Sequence, residues 1–442
     1  MAERHRVVVL GAGFGGLNAA QKLKGAPVDV TLIDARNFHL FQPLLYQVAT
    51  GSLSPGEIAA PIRGVLSRQN NVRVLLGEAV DVDPRARRVT LRDGATFDYD
   101  SLVVATGSET SYYGNDFWRE WAPSLKTIEE ATAIRHKILY AFEWAERAAT
   151  EAEARAWLTF AIVGAGATGM ELVGALAEIA TETLRHDFRR INPSEARIIL
   201  MEGGDRVLAA YPPDLSAKAE KLVHGLGVEV MKGVMVTGVD ANGVTYKRGD
   251  STCRLAAKTV IWTGGVKATE FGKRLAVNSN AETDRGGRVK VNPDLSVPNY
   301  PEIFIVGDLA LAPGKDGHSL PGVAQVAIQG GRYAAKAIRA RLKGKDYPPF
   351  HYFNKGDMAV IGRAAAVANV FGLHISGFLA WLTWLFIHLM YLVQFQSRIL
   401  VFVQWGFQYL TFSRGARLIT GESDSDIVDD TGAKKSRAAT RS

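Results

Sequence analysis

One pattern occurs twice in this chain and constrains its fold more than any other. "VVVLGAGFGGLNAA" spans 7–20 and "AIVGAGATGME" spans 161–171. Each is an apolar strand, then a G-x-G-x-x-G turn, then a helix-forming run. The glycines are Gly11, Gly13 and Gly16 in the first, and Gly164, Gly166 and Gly169 in the second. The first glycine permits a tight turn, the second lets a pyrophosphate reach the backbone, and the third lets the helix lie close on the strand. The free N–H groups at the helix N-terminus then face the phosphates. A carboxylate follows each cradle at the end of a further strand: Asp34 closes "VDVTLID" and Glu202 closes "ARIILME". At that position a carboxylate accepts hydrogen bonds from an adenosine ribose. Glu202 would also repel a 2′-phosphate, which favours NADH over NADPH; Arg206 close by weighs the other way.

The rest of the chain fits the same plan. "LVVATG" (102–107) closes the first half as "TVIWTGG" (259–265) closes the second, and "EIFIVGD" (302–308) reads as a buried strand returning to the first. Segments 57–69 and 127–155 read as helices, as does the run from about Pro321 to Leu342. Asn242-Gly243 reads as a hairpin turn. The predicted fold class is α/β, with two Rossmann-like dinucleotide-binding domains, the second inserted in the first, plus C-terminal amphipathic helices. The boundaries are 1–115 with 283–345 for the first domain, 116–282 for the second, and 346–421 for the C-terminal region. The polar stretch 422–442 reads as disordered.

Composition closes several routes. The chain holds one cysteine, Cys253, so a redox disulfide pair within it is excluded, and no metal site is predicted. The net charge of +7 suits an anionic membrane surface or phosphorylated ligands. No basic run is interleaved with aromatics, so no nucleic-acid partner is expected. "MAERH" runs directly into a strand without a signal peptide, which puts the catalytic part on the cytoplasmic side.

Two dinucleotides on one chain suggest an electron relay between a held flavin and a diffusing nicotinamide. The first cradle, with "ATG" at 105–107 and "IFIVGD" at 303–308, resembles the FAD-binding set of two-dinucleotide flavoprotein reductases. The segments "DARNFHLFQPLLYQVATGSLSP" (34–55), "GAGATGMELVGALAE" (164–178), "AQVAIQGG" (324–331) and "NKGDMAVIGR" (354–363) resemble type II NADH:quinone oxidoreductases. These matches run from about residue 6 to about 420. The resemblance implies a single-subunit, non-proton-pumping enzyme that passes electrons from NADH through FAD to a membrane quinone, and a homodimer. It makes the first domain FAD-binding and the second NADH-binding. It places Pro43, Tyr46, Thr106, Gly107 and Asp308 at the flavin, Gly265 under the nicotinamide, and Lys355 at the border of flavin and quinone.

Read as residues alone, several of these keep a plainer alternative. Asp308 after a buried strand also suits a helix cap. Glu171, early in the second cradle's helix, either complements the helix dipole or, by resemblance, contacts the nicotinamide and relays protons. Gln325 and Gln329 share one helix face and either line a slot for a quinone head or solvate a surface helix. A lone Lys355 is ordinarily solvated.

Residues 364–397 hold no Asp, Glu, Lys or Arg. Treated as helix, this stretch gathers Ser376, Thr383, Gln394, Ser397 and Arg398 on one arc, which predicts helices lying in the membrane interface rather than crossing it. A dimer interface, a buried core or a single span are the alternatives. The region fits a peripheral, monotopic enzyme on the cytoplasmic face of the inner (plasma) membrane. The competing functions are a flavin reductase specialised for a biosynthetic quinone or a soluble carrier, and an NADH-dependent redox sensor.

Overall fold

The computed structural model describes residues 4–315, 317–412 and 414–420; the 422–442 tail lies outside them. Two parallel sheets form the body. The first runs in the order 296–297, 300–305, 101–104, 5–10, 28–34 and 72–76, all parallel apart from the antiparallel edge strand 296–297. The second runs 229–231, 197–201, 159–163 and 259–262, all parallel. Each sheet is buried between helices and a small antiparallel sheet, 79–83 with 88–91 and 96–98 in the first half and 234–240 with 243–248 and 251–256 in the second, so the ends of the central strands are apolar: Val7, Val8, Val9 and Leu10 are each 2% exposed or less. In both sheets the chain leaves the central strand where the strand order reverses, which is where a doubly wound sheet opens a crevice.

The two halves are joined by strands rather than loops. Residues Ser108–Thr110 pair antiparallel with Val266–Ala268, so the outgoing and returning connections brace each other. The helix Ala324–Arg341 then crosses the first cradle's helix, Phe14–Lys22. A Cβ on Gly331 would stand 2.0 Å from the Gly15 carbonyl oxygen, so only glycine permits this approach. The second cradle's helix, Ala167–Glu178, lies equally close on strand Gly356–Gly362, where a Cβ on Gly174 would stand 1.6 Å from the Ile361 oxygen.

Four local expectations are corrected. Segment 57–69 is not one helix: Pro55–Ile58 and Ile62–Val65 are single turns separated by strand Ala59–Pro61, because Pro61 forces the residue before it extended. Segment 127–155 is two helices, Ile128–Arg147 and Glu151–Trp157, each opened by a threonine cap, Thr127 and Thr150. The 321–342 helix begins only at Ala324. The hairpin turn lies one residue earlier than read, since Asp240 already pairs with Gly243.

The uncharged stretch 364–397 is the largest correction. It opens with the antiparallel strands Ala365–Val370 and Leu373–Gly377 around a turn at Phe371 and Gly372, both with positive φ. Two helices follow, Phe378–Tyr391 and Phe395–Thr411. Ser376 is therefore in a strand and Gln394 caps the second helix, so no continuous polar stripe exists. The helices are nevertheless two-faced. Ala380, Trp384, Val401 and Trp405 are buried, whereas Leu379, Phe386, Phe402 and Leu410 are exposed, Leu410 at 78%. Among the described residues no helix is long and apolar enough to cross a membrane.

Candidate active site

The two cradles are built alike, atom for atom. Gly11 and Gly164 both have positive φ, and a Cβ on either would meet backbone of the neighbouring strand's end, Ala105 or Gly264. Cβ atoms on Gly16 and Gly169 would lie 1.8 and 2.0 Å from the carbonyl oxygens of Gly11 and Gly164. The middle glycines differ from these: Gly13 and Gly166 have nothing within 4 Å of an added Cβ. Each is the N-cap of its helix, with no side chain closing the helix end. That open space before uncapped N–H groups has the shape and charge a pyrophosphate requires, so both cradles fit a dinucleotide.

The strand-end acids stitch the turns. Asp34 accepts from the Ala12 N–H at 2.5 Å and the Arg36 N–H at 2.7 Å. Glu202 accepts from the Ala165 and Gly204 N–H groups, both at 2.8 Å. A carboxylate has about four lone-pair positions, so each retains acceptor capacity for ribose hydroxyls. Burial raises the Asp34 carboxyl above its ordinary pKa, against the pull of these N–H groups and of Arg36. Arg206 donates to the carbonyls of Tyr211 and Ala209, at 3.1 and 2.6 Å, which engages two of its five N–H groups within its own loop.

Beside the first cradle lies a cavity of about 450 Å³ lined by Gly11, Asp34, Gly77, Thr106, Glu109 and Thr269. The Thr106 and Thr269 hydroxyls are 3.2 Å apart across the junction of the two halves. Gly107 follows with positive φ and open space at its Cα. Asp308 does not cap the helix that follows; Val323 occupies that position. Instead Asp308 accepts from the Ser108 hydroxyl at 2.7 Å, and Lys126 Nζ donates to the same hydroxyl at 2.8 Å while lying 3.7 Å from Asp308. Sequence reading missed Lys126. Its signal was a cation directly before the N-cap Thr127, at the positive end of a helix, where a cation is favourable only if an anion is near.

The polar residues of the C-terminal side fall into two groups. Gln325 and Gln329 share a face, and both side-chain amides staple one backbone segment. Gln325 donates to the Gly356 carbonyl at 2.8 Å and accepts from the Lys355 N–H at 3.3 Å. Gln329 donates to the Phe353 carbonyl and accepts from its N–H, at 2.9 and 3.0 Å. Lys355 Nζ reaches the Tyr391 hydroxyl at 3.0 Å and so ties this segment to the first terminal helix. Pro43 lies in the 3-10 turn Gln42–Leu44, which leads into the short helix carrying Tyr46. Gly265, φ +83°, is covered by the Tyr113 ring, and a Cβ there would stand 2.4 Å from the Tyr113 hydroxyl.

Glu171 belongs to the second group. It lies beyond the first turn of its helix, where the dipole has little effect. It lines a cavity of about 120 Å³ with Tyr46, Gln47, Trp384, Gln408 and Arg414. Burial raises its carboxyl pKa well above the ordinary value, and the Val360 N–H offsets only part of this. One wall is fastened by Glu178, which accepts from the Arg363 N–H at 2.5 Å and from the buried Arg414 at 2.9 Å. Arg414 also donates to the Thr50 carbonyl at 3.3 Å and to the Ser52 hydroxyl. The indole Nε1–H of Trp384 is buried and has no partner among the described residues.

Residues 5–331 match the pyridine nucleotide-disulphide oxidoreductase family model. Over 428 residues the chain is 49% identical to the type II NADH:quinone oxidoreductase NdhA of Mycobacterium tuberculosis, covering 95% of this chain and 90% of that one. It is 47% identical to a second enzyme of that bacterium, the type II NADH:quinone oxidoreductase Ndh, over 95% and 91% of the two chains. In fold it is similar to NDH2 of Plasmodium falciparum in complex with NADH. The TM-score is 0.85 at 20% identity, with 95% of this chain and all of that chain covered. With the cradles, the strand-end acids and near full-length identity in agreement, the chain belongs to the pyridine nucleotide-disulphide oxidoreductases and, within them, to the type II NADH:quinone oxidoreductase family.

Proposed function

We propose that this protein oxidises NADH and reduces a membrane quinone without pumping protons, with FAD in the first cradle and NADH in the second. The observation that carries this reading is the placement of the Glu171 cavity. One wall is the second cradle's helix, and the opposite wall is the pair of terminal helices whose outer face is apolar and exposed. Bound FAD supplies the two-electron relay between hydride donor and quinone. The chain's own residues supply the rest. Gly13 and Gly166 leave room for pyrophosphates, Asp34 and Glu202 take ribose hydroxyls, and Asp308 with Ser108 and Lys126 takes the polar stem of the flavin. The staple of Gln325 and Gln329 holds Lys355 in place between cradle and terminal helix. Burial disfavours the Glu171 anion, which suits that carboxyl to holding a proton beside the quinone.

The division into an FAD-binding domain (1–115 and 283–345), an NADH-binding domain (116–282) and an anchoring region (346–421) is part of the same proposal. It is supported by the paired crossing strands 108–110 and 266–268. The apolar faces of the terminal helices lie in the lipid interface, as a peripheral anchor does. NADH is supplied on the cytoplasmic side, which places the enzyme on that face. The family resemblance adds a homodimer, which sedimentation checks. The decisive experiment is anaerobic stopped-flow. NADH bleaches the flavin, and menaquinone or ubiquinone analogues restore its colour. Purified protein that cannot be loaded with FAD, or reduced flavin that no quinone reoxidises, sinks the proposal.

A further inference from the structure

We propose that the Tyr46 hydroxyl is a fixed hydrogen-bond donor to a carbonyl oxygen of the quinone, and that Gln47 and Trp405 set its direction. The inference rests on the quinone reading above and adds to it a specific residue and the reason for its polarity.

An indole Nε1–H donates and never accepts. Trp405 Nε1 lies 2.7 Å from Gln47 Oε1, which fixes that end of the amide as oxygen and the other end as NH₂. The Gln47 NH₂ lies 2.9 Å from the Tyr46 hydroxyl and has no lone pair to offer. Tyr46 must therefore accept from Gln47, and its own hydrogen is turned elsewhere. All three side chains are buried, Tyr46 at 6%, Gln47 at 7% and Trp405 at 8% exposed, so bulk water does not scramble the order. Tyr46 lines the same cavity as Glu171 and Arg414. Burial above all raises the phenol pKa well above its ordinary value, so the hydroxyl keeps its proton throughout the working range.

The overall reaction is NADH + H⁺ + quinone → NAD⁺ + quinol. Two electrons reach the quinone, and negative charge builds on its oxygens before the protons are in place. A donor already oriented in a dry cavity stabilises that charge more than the neutral carbonyl. Trp405 does not touch the quinone; it is a positioning residue. It sits on the helix whose outer face is exposed and apolar, so the seating of that helix and the polarity of the quinone site depend on one side chain.

The test separates the two half-reactions in FAD-loaded protein, with a short-chain ubiquinone analogue as oxidant. Tyr46→Phe should slow flavin reoxidation by about tenfold or more, and leave flavin reduction by NADH within about twofold. Trp405→Phe should slow reoxidation by a smaller factor, because the amide is then free to turn. Gln47→Glu gives the signature a packing role would not. An ionised carboxylate accepts from both neighbours and turns the Tyr46 hydrogen away. Its reoxidation rate, taken as a ratio to wild type at each pH, should be low at alkaline pH and recover as the introduced carboxyl takes up a proton. Glu171, Glu178, Arg414 and His388 are common to both proteins and cancel in that ratio. The proposal is overturned if Tyr46→Phe reoxidises at the wild-type rate, or if both half-reactions fall equally. Should Tyr46→Phe fail to hold FAD, a pH-independent ratio for Gln47→Glu overturns it instead. A wild-type protein that reduces no quinone would refute the function itself, a result distinct from all of these.

Discussion

The two cradles share a design and differ in what covers them. Around the first, the helix 324–341 presses on the cradle helix at backbone distance, and the adjoining cavity borrows Thr269, Glu270 and Phe271 from the return of the inserted half. Its acid is the shorter Asp34, desolvated enough to shift its pKa. Around the second, Glu202 is followed by the exposed Gly203, Gly204 and Asp205. The same turn chemistry thus stands beside a cavity shared by both halves in one case and beside an exposed acid-bearing loop in the other, which suits the proposed holding of FAD in the first and exchange of NADH in the second.

The middle glycines give the largest expected effects, since nothing of the protein lies within 4 Å of a Cβ added at either. Gly13→Val should fold and emerge colourless, with all turnover lost, as absorbance at the flavin band and circular dichroism would show together. Gly166→Val should remain yellow, while its affinity for NADH falls by about 100-fold, or roughly 2.7 kcal/mol. Loss of flavin from this second variant would mean that the berths are not independent. Glu202→Gln should reduce the preference for NADH over NADPH by about tenfold, close to 1.4 kcal/mol, measured as the ratio of kcat/KM values. An unchanged ratio would assign discrimination elsewhere.

The smallest effect is on the cover. His388 is held neutral by burial, its pKa pulled down to about 4, and it packs edge-on against Phe41, which in turn meets Phe14 of the first cradle's helix. A depressed histidine costs nothing above its unfolded pKa of about 6.5 and draws down stability as pH falls from there towards 4. Flavin should therefore leave the wild type faster at pH 5 than at pH 7, and His388→Leu should flatten that dependence in a fluorescence assay of released FAD. NADH affinity should not follow the same curve.

Both cradles were legible in the sequence because glycine spacing, strand apolarity and the closing acid are local signals, and Gly11 through Asp34 fall where the pattern put them. The terminal region was legible in chemistry and misread in shape. Apolar residues between 364 and 377 fit a strand as well as a helix, and the positive φ at Phe371 leaves no mark in composition. The candidate site was only partly readable. Gln325 and Gln329 were found as a pair, but their partners are backbone atoms of 353–356, which no side-chain pattern reveals. Gln47, Lys126, Trp405 and Arg414 went unnoticed because each acquires meaning only from a residue far away in the chain; Trp405 and Gln47 are 358 positions apart.

The terminal helices are gripped at both ends. The strand 373–377 pairs into its sheet before the first helix begins, and after the second helix Arg414 locks onto Glu178 and Ser52 while Arg417 reaches Asp187 at 2.7 Å. On the proposed lipid surface a tail fixed only at its start would trail like a leash and let the body drift; a pair held at both ends would act as a keel. The distance a quinone must climb would then be set by the protein and not by thermal wandering, and freeing the Arg414 end should handicap long-tailed quinones in vesicles while sparing short ones dissolved in water.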